Sequence, residues 1–396
     1  MKLPPQAWAA RPGAHAVLAA LDAAGDQTRI VGGAVRDALL GLPVSDVDLA
    51  TRLLPDMVVA RLTAAGITAV PTGIAHGTVT AVAHGEAFEV TTLRRDIATD
   101  GRHATVEFSD DWQADASRRD FTINALYANA VTGTISDFYA GIADLAERRV
   151  RFIGPPLQRI AEDHLRILRF FRFHARFGRG PLDAPGLAAC AARANDLMAL
   201  SRERVRGEVL KLLEVADPVP TVTTMLAHGI FAPVLPEIEA VAALTRVVAA
   251  EAALALPPSP LRRLAALLPR DAATLDAVAT RLRLSNIERA RLVASAGRGG
   301  TLLEHAYHNG ADSALDRLAL DAELPLSADA KTSAQTLQVW IRPRLPISGK
   351  DLIARGIMPG PEVSRRLAGF ERVWIAAGFP DDPTRIAMLV DHALAN

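Results

Sequence analysis

Strand-type patterning stops at Pro156, and that boundary divides the chain into two kinds of fold. Between residues 28 and 153, short runs rich in Val, Ile, Thr and Phe are bounded by Gly or Asp, as strands are. They fall at Thr28–Val31, Asp46–Ala50, Thr78–Ala83, Glu86–Thr92, Thr134–Phe138 and Arg149–Phe152. His84-Gly85 separates the third and fourth runs and predicts a hairpin turn. Residues 97–112 are polar, contain Asp100-Gly101, and read as a mobile loop. Beyond Pro156 helical periodicity continues to the end, broken by Pro or Gly near 180, 217, 233, 257 and 343. The expected fold is an α/β N-terminal head followed by a long all-α body.

Composition narrows the partners. With 396 residues the chain has material for several domains. Lys plus Arg and Asp plus Glu each total 44, so no global field draws in a polyanion and local patches would have to. The single cysteine, Cys190, rules out an internal disulfide and a cysteine zinc site. It predicts a reducing, cytoplasmic setting and no disulfide-linked partner. Met1-Lys2-Leu3-Pro4-Pro5 lacks the apolar core of a signal peptide, and no uncharged stretch is long enough to predict a membrane span. The Gly-x-x-x-x-Gly-Lys-Ser/Thr loop of many kinases and ATPases is absent.

The densest chemistry lies early. Arg29-Ile30-Val31-Gly32-Gly33-Ala34-Val35-Arg36-Asp37 reads as a strand, a tight turn and a short helix. Gly32 and Gly33 let a bulky group approach the backbone. The N–H groups opening the following helix favour an anion such as phosphate, and Arg36, in that first turn, could reach it. Next comes Ser45-Asp46-Val47-Asp48-Leu49. On a strand, Asp46 and Asp48 project from one side. Two carboxylates that close repel unless a cation separates them, and Mg²⁺ accepts one or two carboxylates alongside substrate phosphates. The bland alternative is a surface turn with two solvated aspartates.

Asp163 and Arg166 are three apart in a helical stretch and would share a face, which alone reads as a structural ion pair. Arg166, Arg169, Arg172 and Arg176 continue as an arginine stripe, either a solvated face or a nucleotide or RNA contact. Arg202, Arg204, Arg206 and Lys211 could extend a basic surface. Glu89 and Asp120 are rival candidates for a third carboxylate near Asp46 and Asp48.

Gly32-Gly33-Ala34-Val35-Arg36-Asp37 followed by Asp46-Val47-Asp48-Leu49-Ala50-Thr51 resembles the head motif of class II tRNA nucleotidyltransferases (CCA-adding enzymes) and bacterial poly(A) polymerases. Three further blocks agree in order: Arg118-Arg119-Asp120-Phe121-Thr122-Ile123-Asn124-Ala125; Asp137-Phe138 with Gly141-Ile142-Ala143-Asp144-Leu145; and Glu162-Asp163-His164-Leu165-Arg166-Ile167-Leu168-Arg169. The resemblance is clear over residues 28–215. It is weaker at Ile347-Ser348-Gly349-Lys350-Asp351-Leu352 with Pro359-Gly360-Pro361.

The resemblance implies a catalytic head with a small mixed sheet at 1–145, a base-selecting helical neck at 146–215, and an all-α, tRNA-binding body and tail at 216–396. Asp46 and Asp48 would be the catalytic pair, holding Mg²⁺ in a two-metal site with Glu89 a possible addition. Gly32, Gly33, Arg36, Arg119, Asp163, Arg166, Arg169 and Arg172 would bind the nucleotide. Arg119 would contact the triphosphate, and Asp163 with Arg166 would read the base. The activity implied is addition of C, C and A to the 3′ end of tRNA from CTP and ATP, with pyrophosphate released.

Pro71-Thr72-Gly73-Ile74 and His76-Gly77-Thr78 resemble CCA-adding enzymes more than poly(A) polymerases. The loop at 97–112 favours full CCA addition over CC alone, although Arg102-His103-Ala104 carries Ala where many relatives have Pro. No histidine is followed by Asp, which disfavours the HD-type phosphohydrolase domain of some relatives. The competing expectations are a poly(A) polymerase, a small-molecule nucleotidyltransferase, and a catalytically silent RNA-binding protein.

Overall fold

The computed structural model describes residues 1–5, 11–22, 25–99 and 104–395. The chain divides into two compact units, Met1–Pro236 and Glu237–Asn396. The expected head and neck both lie in the first, together with the start of the expected body.

A seven-stranded mixed sheet organises the first unit. Its strands are β1 (Thr28–Val31), β2 (Leu49–Thr51), β3 (Thr68–Gly73), β4 (Thr78–Ala83), β5 (Glu86–Thr92), β8 (Leu126–Asn129) and β9 (Ile135–Asp137). They lie in the order β3-β4-β5-β2-β1-β8-β9. The β2–β5 pair is parallel, and every other pair is antiparallel. The β4–β5 hairpin turns at His84 and Gly85 as expected, both with positive φ, +52° and +78°.

Several strand expectations need correction. The run expected at Asp46–Ala50 enters the sheet only at Leu49, which pairs with Ile30 of β1, and continues to Thr51. Asp48 nonetheless continues the ladder, its carbonyl accepting the Val31 N–H at 3.0 Å. The run at 134–138 narrows to Ile135–Asp137. Arg149–Phe152 forms no strand, only a single bridge from Phe152 to Phe121. β3 escaped notice because it is a largely exposed edge strand containing Pro71, with no apolar alternation to betray it.

Residues 97–112 are not one loop. β6 (Arg94–Thr99) and β7 (Ala104–Phe108) pair as a separate two-stranded ribbon, and a helix follows at Trp112–Ser117. A ribbon outside the main sheet is not forced into the hydrophobic alternation that sequence reading depends on. Asp100-Gly101 and Arg102-His103 lie outside the described residues.

The helix Arg166–Phe177 is amphipathic. Ile167, Leu168, Phe170, Phe171, Phe173, His174 and Phe177 are buried, leaving the arginines on the other face. Phe121, just after the Arg118-Arg119-Asp120 segment, packs on Phe152 and Phe173 with ring centroids 5.0 and 5.2 Å apart, and Phe152 stacks on Phe170 at 5.3 Å. This aromatic cluster ties the helix to the end of the sheet region and explains why head and neck form one unit.

The block around Gly141 is structural. Asp137 accepts the N–H groups of Tyr139, Gly141 and Ile142. Buried Asp144 takes the Thr122 hydroxyl at 2.7 Å and the Arg149 and Arg151 guanidiniums at 2.9 Å. The second unit is helical throughout its described residues, from Ala242–Ala253 to Pro383–Ala395. One of its cores holds a buried ion network in which Glu251 meets Arg262 and Arg263, and Arg262 also meets Asp316. No helix among the described residues is long and apolar enough to cross a membrane.

A Cβ on Gly141 would sit 2.2 Å from the Thr122 carbonyl oxygen, too close for any rotamer to relieve. Gly141→Ala is therefore expected to destabilise the first unit by at least about 1–3 kcal/mol. Urea unfolding measures this, and an unchanged midpoint would show that the two backbones move apart freely.

Candidate active site

The Gly-Gly turn has a conformation that selects its residue. Gly32 sits at φ +69°, ψ −119°, open to glycine but strained for any side chain. Its N–H donates to the Leu126 carbonyl at 2.9 Å, anchoring the turn to β8. A Cβ built on Gly32 would lie 3.6 Å from Arg119 Nη1, and one on Gly33 would lie 3.5 Å from Arg36 Nη2. Two guanidiniums therefore flank the bare backbone of the turn.

Their own environments differ. Arg36 is buried: Nε donates to Asp37 at 2.8 Å, Nη1 to Asn124 Oδ1 at 2.5 Å, and its plane lies 4.0 Å from the Phe177 ring centroid. It is held mainly by protein partners, whereas sequence reading treated it only as an anion contact. Arg119 donates Nε to the Tyr127 hydroxyl at 3.0 Å and Nη2 to Asp115 at 3.1 Å, which leaves Nη1 on the side of Gly32.

Asp115 went unnoticed in the sequence. Its only signal was its place four residues before Arg119 in a helical stretch. It is almost wholly buried and also takes the Arg118 guanidinium at 2.7 Å and the Tyr127 hydroxyl at 2.6 Å. Burial alone would raise its carboxyl, but the Arg119 and Arg118 charges and the Tyr127 hydrogen bond outweigh burial and hold it at about 2.

Asp46 and Asp48 lie in the extended segment leading into β2. Exposure alternates along it: Asp46 and Asp48 reach solvent while Val47 and Leu49 are buried. The β2–β5 register pairs Leu49 with Val90, which brings Glu89 level with Asp48. Although solvent reaches it, the Asp48 carboxyl is pushed above its ordinary value. Protein mass crowding it is the main cause; the Glu89 and Asp46 charges add to this and Arg119 opposes it. Asp120, the rival third carboxylate, is buried and fully engaged. Its Oδ1 accepts the Phe121 N–H and Asn124 Nδ2, and its Oδ2 accepts Arg169. Of the two rivals, Glu89 is thus the one whose charge acts on Asp48.

No three acidic, His or Cys side chains converge as a closed metal cage among the described residues. The pair suits a hard divalent cation that takes one or two carboxylates and completes its shell elsewhere. The raised Asp48 carboxyl fits this chemistry, because a cation at that point would offset the burial and the Glu89 and Asp46 repulsion that together raise it.

The base-reading candidates are arranged differently from expectation. Asp163 and Arg166 do not share a helix. Asp163 terminates the helix Pro156–Glu162 at φ −151°, ψ 107°, and Arg166 opens the next. The Asp163 carboxylate accepts the Leu165 N–H at 3.1 Å and Arg204 Nη2 at 2.8 and 3.0 Å. Arg204 is thus an ion-pair partner of Asp163 rather than only part of a free basic surface. The arginine stripe is not a freely solvated face either. Arg166 pairs with Glu162 at 2.6 Å, Arg169 with Asp120 at 2.8 Å and Arg172 with Glu208 at 2.5 Å, while Arg176 lies over the Phe177 ring. A cavity of about 770 Å³ belongs to the second unit, lined by Asn286, Arg291, His308 and Arg342 among others, and contains none of these residues.

Known proteins resemble the chain over most of its length. The family described as "Poly A polymerase head domain" matches residues 28–151, and "Probable RNA and SrmB- binding site of polymerase A" matches 184–241. The chain is 36% identical to the mitochondrial CCA tRNA nucleotidyltransferase 1 of Mus musculus, over 89% of this chain and 84% of that protein. It is 30% identical to the CCA-adding enzyme of Levilactobacillus brevis, over 98% and 99%. The crystal structure of the Bacillus stearothermophilus CCA-adding enzyme in complex with CTP superposes with a TM-score of 0.75 at 28% identity, over 97% of this chain and 98% of that one.

The raised Asp48 carboxyl predicts how cation binding depends on pH. Protons compete with a metal at a higher pH than for an ordinary aspartate, so a divalent cation held there would lose affinity as pH drops through that raised value. Glu89→Gln removes one cause of the shift and should move the fall to lower pH. Calorimetric Mg²⁺ titration between pH 5 and 7.5 measures it, and an unmoved or upward-shifted profile would separate Glu89 from the site.

Proposed function

The chain belongs to the class II family of CCA-adding enzymes and poly(A) polymerases, and we propose that within it this chain adds C, C and A to the 3′ end of tRNA from CTP and ATP. The observation that carries this reading is the Asp46–Asp48 pair beside Arg119 and the Gly32-Gly33 turn. It offers cation-binding carboxylates and anion-facing donors in one place. Residues 1–145 act as the catalytic head, 146–215 as the neck that selects the base, and 216–396 as the body and tail that grip the RNA through phosphates and shape. The buried thiol of Cys190 suits a reducing compartment such as the cytoplasm.

In this reading the RNA 3′ oxygen forms a bond to the α-phosphorus as the bond to the bridging oxygen breaks, and pyrophosphate leaves. Asp46 and Asp48, with Glu89 beside them, would hold Mg²⁺, which when bound would activate the attacking hydroxyl and neutralise the leaving group. Arg119 and Arg36 hold triphosphate oxygens against the turn, where a planar fork fits better than an ammonium. Arg169 and Arg172 extend the donors along the neck. Asp163 accepts from the exocyclic amine of C or A, and Arg166 donates to the adjacent ring nitrogen. U and G present a carbonyl where C and A have the amine, and a ring N–H where they have the acceptor, so each meets a like group.

Asp46→Ala is expected to lower transfer by several orders of magnitude while leaving tRNA affinity within about twofold, since the RNA is held elsewhere. Rate and filter-binding measurements decide, and near-native turnover would remove Asp46 from the metal site.

The defining assay supplies purified protein, Mg²⁺ and labelled nucleotides, singly and together, to tRNA transcripts ending before CCA and to an unrelated RNA. Two C and then one A, added only to tRNA, is the expected result. Long A tails on either RNA would instead make the chain a poly(A) polymerase. No incorporation on any RNA would favour a small-molecule acceptor or a silent binder.

A further inference from the structure

Arg159 has no part in the chemistry above, yet it lies where base reading and triphosphate contact meet. It occupies the last turn of the helix Pro156–Glu162 and is almost fully buried. Its Nη2 donates to two successive main-chain carbonyls, Arg118 at 2.5 Å and Arg119 at 2.7 Å. Its Nη1 pairs with Glu162 at 2.5 Å. Glu162 also takes Arg166 Nη1 at 2.6 Å, and Arg166 returns Nη2 to the same Arg118 carbonyl at 3.0 Å. Arg166 Nη1 additionally donates to the Arg159 carbonyl at 2.9 Å. The contacts close into a circuit: Arg118 carbonyl, Arg159, Glu162, Arg166, Arg118 carbonyl.

The circuit fixes which donors of Arg166 remain. Both Nη1 hydrogens and one Nη2 hydrogen are engaged. The Nε–H and the second Nη2–H have no partner among the described residues. These two donors sit on neighbouring nitrogens of one rigid plane. Arg159 therefore acts on two functional groups together, by setting the free edge of Arg166 and by pinning the backbone that carries Arg119.

We infer that Arg159 is a positioning residue for nucleotide selection, making the reading edge of Arg166 and the place of Arg119 one geometric unit. A base that fits Arg166 leaves the circuit relaxed and Arg119 aligned on the triphosphate. A base that presents an N–H to that edge pushes Arg166, then the Arg118 carbonyl it holds, then Arg119. The wrong nucleotide is rejected in the rate of transfer as well as in binding. This inference rests on the proposed roles of Asp163, Arg166 and Arg119.

Arg159→Lys keeps the positive charge but cannot span both carbonyls and Glu162 as the fork does. The measurement is kcat and KM for CTP and for UTP on tRNA ending before CCA, with thermal melting, for the native chain, Arg159→Lys and Asp163→Ala. With melting preserved, kcat for CTP should fall roughly 10- to 100-fold, the range for a lost hydrogen bond to a charged group. The kcat for UTP should fall less, so the CTP-to-UTP ratio of kcat shrinks while KM for CTP moves little.

A purely structural role would lower both nucleotides by one factor. An unchanged ratio in Arg159→Lys beside a reduced ratio in Asp163→Ala would overturn the coupling and leave the base reader standing. An unchanged ratio in both variants would overturn the base reader and the coupling together. If Arg159→Lys fails to fold, Glu162→Gln opens the same circuit while sparing both carbonyl contacts, and its CTP-to-UTP ratio decides in the same way.

Discussion

The Asp115 carboxylate gathers the Arg118 and Arg119 guanidiniums and the Tyr127 hydroxyl in a space almost free of solvent. A buried charge without its partner costs about 3–5 kcal/mol, so none of these groups can leave the arrangement alone. The next residue extends the constraint: Asp120, also buried, takes Arg169 and Asn124, and Asn124 takes Arg36. Arg159 and Arg166 then hold the same segment by its carbonyl oxygens. The stretch Arg118-Arg119-Asp120 is thus held through both its side chains and its backbone, and Arg119 has one place to be, beside Gly32 and Asp48.

Apolar packing gives this electrostatic lattice its frame. Phe121 follows the charged triplet directly and inserts into the rings of Phe152, Phe170 and Phe173. The helix Arg166–Phe177 is therefore fixed by its aromatic face, while its other face supplies arginines that meet Glu162, Asp120 and Glu208. Packing sets where the helix lies, and directional hydrogen bonds to ionised groups set how each guanidinium is turned.

Two readings of these arginines, structural ion pair or ligand contact, are compatible. A guanidinium carries five donors, and a single carboxylate uses only some of them. Arg119 spends Nε and Nη2 on Tyr127 and Asp115, which leaves Nη1 at the Gly-Gly turn. Arg166 spends three hydrogens on Glu162 and two carbonyls, which leaves donors on Nε and Nη2. Pairing of this kind preorganises a donor, because its orientation is settled before any ligand arrives.

Much of this protein was legible in the sequence by itself. The end of strand patterning at Pro156 announced an α/β head and a helical remainder. Gly32, Asp46 and Asp48 announced a turn and a carboxylate pair through their spacing alone. Those features depend on local rules: φ freedom at glycine, alternation along an extended chain, and the 3.6-residue period. Tertiary structure alone decided the rest. Asp163 looked like a helix neighbour of Arg166, but the helix breaks at that residue and its carboxylate pairs with Arg204, 41 positions away. Residues 97–112 looked like a loop because a two-stranded ribbon outside the main sheet need not carry an apolar period. Asp115 and Arg159 were indistinguishable from ordinary surface charges, and Asp120 stood as a rival third carboxylate rather than as a buried partner of Arg169, since a sequence records which charges exist but not which are removed from water. Burial makes those charges commit to partners, and burial is settled only when distant segments pack together.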